Sequence, residues 1–534
     1  MRQTTLSVAF DVKPESFERL GALLDDFHKR ADAGAKDAPY ADFLSGVPVL
    51  HFLSLSLFPG ADHDPLFVLE ANFDGEAGPF WGQLEAAVGR DLRECLRCCK
   101  APRDEKAALF AAATGEGAKA PLAPYLEACA LTPSAFHHGN RGLTRARIES
   151  EHALFLDVRK EIAGRDGDYR KLAAPQIHQG LRKALIEKFV WLRDPAPPRV
   201  GTLESVGDMV KLALFAFAVV FTLSIPGLVL GLALPDNRHF LLIGIVFVLL
   251  AWRLSEIRDA PPAPPGASRY KSTTVALAVA GVALFFAAYW VFASAVGAPL
   301  SHVLTGRDWP EAWTDMLRWI KTSLPSVPVT AIGALVWVRT LERRDSSQDA
   351  PPVDPHFLSE MARREDRIPQ NHMGSVVSIK PGVLRMIVIR AGHLALFLIL
   401  RVIARDGYLG SMRTIHFAHW AFVNNKSRLI FFSNFDQTWE SYLDDFIEKA
   451  HGGLSLAWSC GVGFPPTRFL IFEGASRGRQ FKEWARHSMA VSHFWYSAYK
   501  DLTTEQIERN YRIALGLRKP NLDATEAATW LNDL

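Results

Sequence analysis

Cysteine is scarce in this sequence, and the cysteines present form no disulfide or metal-ligand pattern. The 534 residues contain five cysteines, three of them crowded together as Cys95, Cys98 and Cys99. An odd number with this spacing does not predict a disulfide framework. Cys95 and Cys98 form a CxxC without a second ligand pair of similar spacing, so we expect no metal site. We expect the thiols to lie on one face of a helix in a reducing compartment.

An excess of charge of one sign is also lacking. The formal net charge of +3 argues against a nucleic-acid binder, which normally has a basic face or stripe. The motifs of phosphate loops (GxxxxGK), zinc proteases (HExxH) and serine hydrolases (GxSxG) are missing. The first residues, MRQTTLSVAFDV, contain too short an apolar run for a signal peptide. The first half of the chain is therefore expected in the cytosol.

The sequence does contain a long block with almost no charge, and we assign residues 205–340 to a transmembrane region of about four helices. A helix needs about 20 apolar residues to cross about 30 Å of hydrocarbon. A buried core helix is the alternative for each run, most of all for the two shorter ones. The candidate spans are residues 212–234, 240–252, 273–297 and 323–338.

Positive charge on the flanking segments predicts an orientation. Lysine and arginine are frequent just before the first span, in the loop 253–271, and after Arg339. In a four-span arrangement these three places lie on one side, which the positive-inside rule assigns to the cytosol. Both soluble halves, residues 1–200 and 341–534, are therefore predicted to be cytoplasmic.

The two halves contain a similar series of segments, which indicates an internal duplication. Residues 50–58 and 65–75 precede a helix in the first half, and residues 415–423 and 428–437 precede one in the second. Each half also opens with a candidate strand. This order predicts an α+β fold of two ferredoxin-like (β-α-β-β-α) domains flanking the transmembrane region, with their open sheet faces paired intramolecularly. The matched residues are His51 with His416, Asn72 with Asn434, Phe73 with Phe435, Asp74 with Asp436, and Arg141-Gly142 with Arg477-Gly478.

Paired units of this kind resemble the dimeric α+β barrel group, which includes dye-decolourising peroxidases and chlorite dismutases. The resemblance rests on topology and on the strand-end NFDG at residues 72–75, and it implies haem as a possible cofactor. The GxxDG segment of the peroxidases is not found. The second half, with IHFAHW, SNFDQTWESYLDDF and WYSAY, also resembles a group of bacterial membrane proteins of unassigned activity. That resemblance implies the bacterial inner (cell) membrane.

Several polar residues are candidate site residues. His51 and His416 could form a symmetric buried ligand-binding pair, or each could be hydrogen-bonded within a core. Arg141 and Arg145 are four residues apart and could bind a phosphate or carboxylate near a helix N-terminus. The alternative is a solvated helix face with Glu149 and Glu151 as partners. Asp74 and Asp436 follow strands and are expected to cap the next helix, whereas Arg477 is assigned to ligand binding by its match with Arg141.

A haem site is the second kind of candidate. The segment WARHSMAVSHFWYSAY predicts one helix that carries Arg486, His487 and His493. Either histidine could be a proximal haem ligand, with Arg486 or Arg477 on the oxygen side. The alternative is an aromatic stripe that packs on the sheet.

Residues 381–404 are strongly apolar yet contain Arg385, Arg390 and Arg401. Three arginines are costly inside a bilayer, so the pattern favours an amphipathic helix at the inner membrane interface. A buried domain helix is the alternative.

Three functions are consistent with these patterns. The first is a membrane-anchored protein whose paired domains bind an apolar, lipid-like ligand. The second is a haem-dependent, peroxidase-like oxidoreductase, and the third is a structural or assembly protein without a ligand. Membrane lipid is the expected partner in all three.

Overall fold

The computed structural model describes residues 2–32, 46–60, 63–233, 238–256, 298–299, 302–303, 306–347, 350, 352–403, 412–423 and 426–534. The strands are β1 Gln3–Asp11, β2 Leu50–Phe58, β3 Leu66–Asp74, β4 Ala130–Leu131, β5 Ala135–His138, β6 Gln370–Ser378, β7 Ile415–Val423, β8 Arg428–Asp436, β9 Thr467–Arg468, β10 Phe472–Glu473 and β11 Ser492–Ser497.

The helices before residue 300 are α1 Phe17–Asp32, α2 Ala77–Arg97, α3 Ala107–Thr114, α4 Ala123–Cys129, α5 Arg145–Gly164, α6 Asp166–Tyr169, α7 Ala174–Leu185, α8 Thr202–Ala233 and α9 Arg238–Glu256. Those after it are α10 Trp309–Arg343, α11 Pro355–Arg364, α12 Val383–Ile403, α13 Trp439–Trp458, α14 Gly478–Ser488, α15 Thr504–Arg518 and α16 Ala524–Leu531. Short 3-10 helices span Pro14–Ser16, Val190–Arg193 and Gly474–Ser476.

The two main sheets exchange strands. One sheet has the order β11-β2-β3-β1-β4, and the other has the order β5-β7-β8-β6, with antiparallel pairing. Strand β5 belongs to the first half of the chain yet pairs with β7, and β11 belongs to the second half yet pairs with β2. The exchange continues past the strands, because Gly139 N donates to His416 O and Ala498 N donates to His51 O, each at 2.9 Å. Each half therefore completes the sheet of the other.

Alternation along the strands separates a helix-facing core from an inter-sheet core. In β3, Phe67, Leu69 and Phe73 join the core beneath α1 and α2. The alternate residues of the strand face the other sheet, where Leu66 and Val68 pack with residues of β7 and β8. Both faces of β3 are thus buried, including the polar side chains in its second half.

Amphipathic helices cover the outer faces of the sheets. Helix α2 buries Phe80, Trp81 and Leu84, and α13 buries Trp439 and Tyr442. Truncating a buried aromatic side chain of this size costs about 3–5 kcal/mol. Cys95, Cys98 and Cys99 are free and buried at the end of α2, where burial raises the pKa of each thiol. A further layer of α5, α7, α15 and α16 has its own apolar core.

Three of the described helices are long and apolar enough to cross a membrane: Thr202–Leu230 in α8, Trp309–Arg343 (α10) and Val383–Val402 in α12. Helix α8 packs on α10, and a side chain on Gly227 would clash with Ser326 and Thr322. The expected span 240–252 lies within α9, and the expected span 273–297 lies outside the described residues. The expected span 323–338 lies within the much longer α10, which begins at Trp309.

Helix α12 connects β6 to β7, which belong to one sheet. Near its start, Arg385 Nη2 donates to Leu341 O at the end of α10, at 3.2 Å. Near its end, Arg401 Nε contacts Asp208 Oδ2 at the beginning of α8, at 3.0 Å. Helix α12 therefore contacts the C-terminal end of α10 and the N-terminal end of α8.

Candidate functional site

His51 and His416 are buried between the two sheets, each beside an aspartate of its own half. His51 Nε2 lies 3.0 Å from Asp74 Oδ1, and His416 Nε2 lies 2.7 Å from Asp436 Oδ1. The His51 Nδ1 atom is also hydrogen-bonded to the Tyr499 hydroxyl at 2.8 Å. The two histidines occupy matching positions, and each makes a contact with protein that a ligand would have to replace.

The same aspartates cap helices, but not the helices expected. Asp74 Oδ2 accepts a hydrogen bond from Arg145 N at the start of α5, and Asp436 Oδ2 accepts one from Thr504 N at the start of α15, each at 2.7 Å. The prediction that they cap the next helix in sequence is wrong. The segment after β5 instead comes to the end of β3, and the segment after β11 comes to the end of β8, so each aspartate caps the helix that follows the exchanged strand of its own half.

A buried polar group between the sheets, the inter-sheet cluster, escaped the sequence analysis. It consists of Ser54, Glu70, Asn72, His372 and Asn434. The Glu70 carboxylate accepts hydrogen bonds from Ser54 Oγ (3.1 Å), Asn72 Nδ2 and Asn434 Nδ2 (3.3 Å). Burial raises the pKa of Glu70 to about 7, although these three donors oppose the rise. A glutamate at an inward position of an apolar strand was the available signal.

Arg141 and Arg145 were expected to share one helix face, but Arg141 does not lie on the helix. Helix α5 begins at Arg145 after a Thr144 cap, and Arg141 precedes the positive-φ residue Gly142 (φ 81°) in a turn. Arg145 pairs with Glu149 at 2.8 Å, in agreement with the alternative that gave it a glutamate of its own helix as partner.

Arg141 instead belongs to a group of charges that we call the α8 clasp: Arg141, Glu204, Asp208 and Arg401. Arg141 Nη2 lies 2.7 Å from Glu204 and 2.9 Å from Asp208, and Arg401 contacts the same two carboxylates. Arg141 Nη1 also donates to Arg401 O at 2.9 Å. The clasp joins the first turns of α8 to one residue from each half of the chain.

Arg477 is not equivalent to Arg141. It precedes α14, where it pairs with Glu473, whereas Arg141 follows the exchanged strand β5. The match between the two Arg-Gly pairs is therefore wrong, and the structure does not bring Arg477 to the residues of the clasp.

The residues proposed for haem are split between two elements. Helix α14 ends at Ser488 because Met489 is extended (φ −79°, ψ 163°), so His487 lies at the helix end while His493 lies in β11. His493 Nδ1 is hydrogen-bonded to Asp25 Oδ1 at 2.9 Å. Arg486 pairs with Glu365 and its guanidinium lies 3.6 Å from the centre of the Trp439 ring. The prediction of one helix that carries both histidines is wrong. Among the described residues, no group of three His, Cys, Asp or Glu side chains is placed to hold a metal ion.

A cavity opens where the end of α10 meets α12 and α13. We call it the α10–α12 cavity. Most of its wall is apolar, and the apolar side chains come from three helices and the loop before β10. They include Val338, Leu341, Leu384, Val388, Leu456 and Leu470.

One end of this cavity is charged. Lys380 Nζ contacts Asp345 Oδ2 at 2.8 Å, and both side chains are nearly buried. Arg385 Nη2 lies 3.7 Å from the same oxygen. Burial acts to raise the pKa of Asp345, but the hydrogen bonds from Lys380 and Ser347 outweigh it and hold that pKa below its ordinary value.

Glu342 also lines the cavity, but its carboxylate is occupied. It accepts hydrogen bonds from Arg339 Nη1 (2.9 Å), Thr467 Oγ1 (2.9 Å) and the backbone N–H groups of Phe469 (3.0 Å) and Leu470 (2.8 Å). These contacts fix the loop that forms the far wall. The cavity is thus an apolar pocket with a small charged end, built from the end of α10 together with α12, α13 and the loop before β10.

Comparison with protein-family models, with curated proteins and with solved structures finds no match for this chain.

Proposed function

We propose that this protein is membrane-anchored and binds an amphiphilic, lipid-like molecule in the α10–α12 cavity. The observation that carries the proposal is the cavity itself, with apolar walls from Leu341, Leu384 and Val388 and a charged end at Lys380. A wall that is apolar along its length and charged at one end is complementary to a molecule with a tail and a polar head.

The position of the cavity supports a ligand taken from a membrane. Because the two halves share both sheets, they lie on one side of any membrane, and the chain from Thr202 to Arg343 crosses it an even number of times. The basic residues Arg339, Arg343 and Arg344 at the end of α10 favour the cytoplasmic side. The cavity opens at this end of α10, where lipid headgroups would lie.

Helix α12 supports the same arrangement. It is held on the sheet side by α13 and β5, while Val383, Ile387 and Leu394 on its outer face are exposed. A helix with one apolar face toward a domain and another toward the surroundings fits an interfacial position. In that position α12 separates the cavity from the lipid, and the ligand enters beside it.

The space between the sheets supports a ligand less well. It is filled by buried apolar residues of the inter-sheet core and by the inter-sheet cluster. The side chains of that cluster are hydrogen-bonded to one another. We therefore place the ligand in the α10–α12 cavity rather than between the paired sheets.

The test is to block the cavity and measure bound lipid. Leu384→Trp and Val388→Trp each add bulk to the cavity wall, and Leu394→Trp on the exposed face of the same helix is the matched control. After purification in mild detergent, native mass spectrometry should find lipid bound to the wild type and the control, and at least about tenfold less on both cavity variants. Equal lipid on all four proteins would refute the proposal.

A further inference from the structure

The charges that line the α10–α12 cavity do not cancel. Lys380 and Arg385 are two cations, and Asp345 is the one carboxylate that both of them approach. Glu342 does not change this balance because Arg339, which lies 2.9 Å away, compensates its charge. The charged end of the cavity therefore has one uncompensated positive charge.

We propose that the cavity selects amphiphiles whose headgroup has a single negative charge, either a carboxylate or a phosphodiester. This inference rests on the proposed function and adds the chemical class of the ligand. Lys380 is only 6% exposed, so water screens its charge poorly and a missing counter-charge is costly. A monoanionic headgroup restores neutrality, whereas a zwitterionic one leaves the balance unchanged.

Arg385 has the geometry to bind such a headgroup. Its guanidinium has five N–H donors in a planar fork that matches carboxylate and phosphate oxygens. Within the described part of the chain, the hydrogen bond to Leu341 O at 3.2 Å and the 3.7 Å contact with Asp345 are its polar contacts. The remaining donors are available at the mouth of the cavity, while Lys380 is held deeper by Asp345 and Ser459 O.

The test uses the full-length protein, delipidated in detergent and titrated with three probes. Oleate provides a carboxylate, phosphatidylglycerol a monoanionic phosphodiester, and phosphatidylcholine a zwitterion. The wild type should bind at least one anionic probe about tenfold more tightly than phosphatidylcholine. Preference for oleate or for phosphatidylglycerol would identify the source of the headgroup within the proposed class.

Charge variants then test the mechanism. Arg385→Gln removes the excess positive charge, so it should weaken binding of the anionic probes about tenfold without changing the affinity for phosphatidylcholine. Asp345→Asn removes a negative charge and so increases the excess, and it should strengthen binding of the anionic probes. Arg385→Lys keeps the charge and should retain most of the preference. Arg390→Gln, at an exposed position of the same helix, is the control and should behave like the wild type.

The outcomes distinguish this inference from the proposed function. If Leu384→Trp abolishes binding of every probe but Arg385→Gln and Asp345→Asn change nothing, the headgroup assignment is overturned and the proposed function stands. The same holds if the wild type binds all three probes equally. If Leu384→Trp also has no effect, the cavity is not the binding site and both proposals fail.

Discussion

Glu70 and His372 face each other across the two sheets, with Glu70 Oε2 3.9 Å from His372 Nε2. Both side chains are almost completely buried. Burial lowers the pKa of His372 to about 3, so the histidine stays neutral and does not compensate a Glu70 carboxylate. The corresponding position in β8, four residues before Asp436, is Phe432. The ionisable group is thus present in one half only.

The first prediction concerns the pH dependence of stability. The pKa of Glu70 rises from 4.5 to about 7 in the fold, so the folded protein binds this proton more tightly than the unfolded chain. The contribution of Glu70 is fully present below about pH 4.5 and is lost as pH rises through about 7. Glu70→Gln should therefore raise the free energy of unfolding by about 3 kcal/mol at about pH 8, with little change at about pH 4.5.

Chemical denaturation in mild detergent at the two pH values measures this effect. Glu105→Gln, at an exposed position, is the control and should not alter the pH profile. A Glu70→Gln variant whose stability follows pH as the wild type does would show that Glu70 ionises at its ordinary pKa.

The second prediction concerns the matched aspartates Asp74 and Asp436. Each contacts a buried histidine and caps a helix of the exchanged segment. Because both contacts are buried, Asp74→Ala and Asp436→Ala should each destabilise the protein by about 3 kcal/mol. Asp436→Asn retains an oxygen that can accept from Thr504 N, so its loss should be smaller than that of Asp436→Ala.

Hydrogen exchange provides the readout for these variants. Asp436→Ala should increase exchange at the start of α15, and Asp74→Ala at the start of α5. The assignment would be wrong if exchange instead increased first at α13 and α2, the helices that follow the aspartates in sequence.

The third prediction concerns the α8 clasp. Asp208 and Arg401 are both nearly buried and lie 3.0 Å apart, so their interaction should be stronger than that of a surface ion pair. A double-mutant cycle of Asp208→Ala and Arg401→Ala should give a coupling free energy of about 1–3 kcal/mol. The measurement is thermal unfolding of the purified protein. The control is a cycle of Asp208→Ala with Arg390→Ala, because Arg390 is exposed. Additive effects of the two substitutions would contradict the clasp.

Local patterns predicted the strands well. The expected segments 50–58 and 415–423 coincide with β2 and β7, because alternating and β-branched or aromatic residues favour a pleated strand wherever it lies. The helix ends were harder to predict. Met489 ends α14 in the middle of an apolar, aromatic segment without glycine or proline, which is why His487 and His493 were assigned to one helix.

The site was less predictable than the strands. Lys380, Asp345 and Arg385 are spread over 41 positions of the chain, and each alone resembles an ordinary basic or acidic residue. Their meeting depends on α12 reaching the end of α10, and no local spacing encodes that contact.

The sequence by itself determined the apolar helices and the central strands, because hydrophobic length and period act over neighbouring residues. The tertiary structure decided that β5 and β11 change sheets, that Asp74 and Asp436 cap distant helices, and that three charges meet at one end of an apolar cavity. These features depend on contacts between residues far apart in the chain, where the free energy of packing and of satisfying buried polar groups selects among many locally equivalent arrangements.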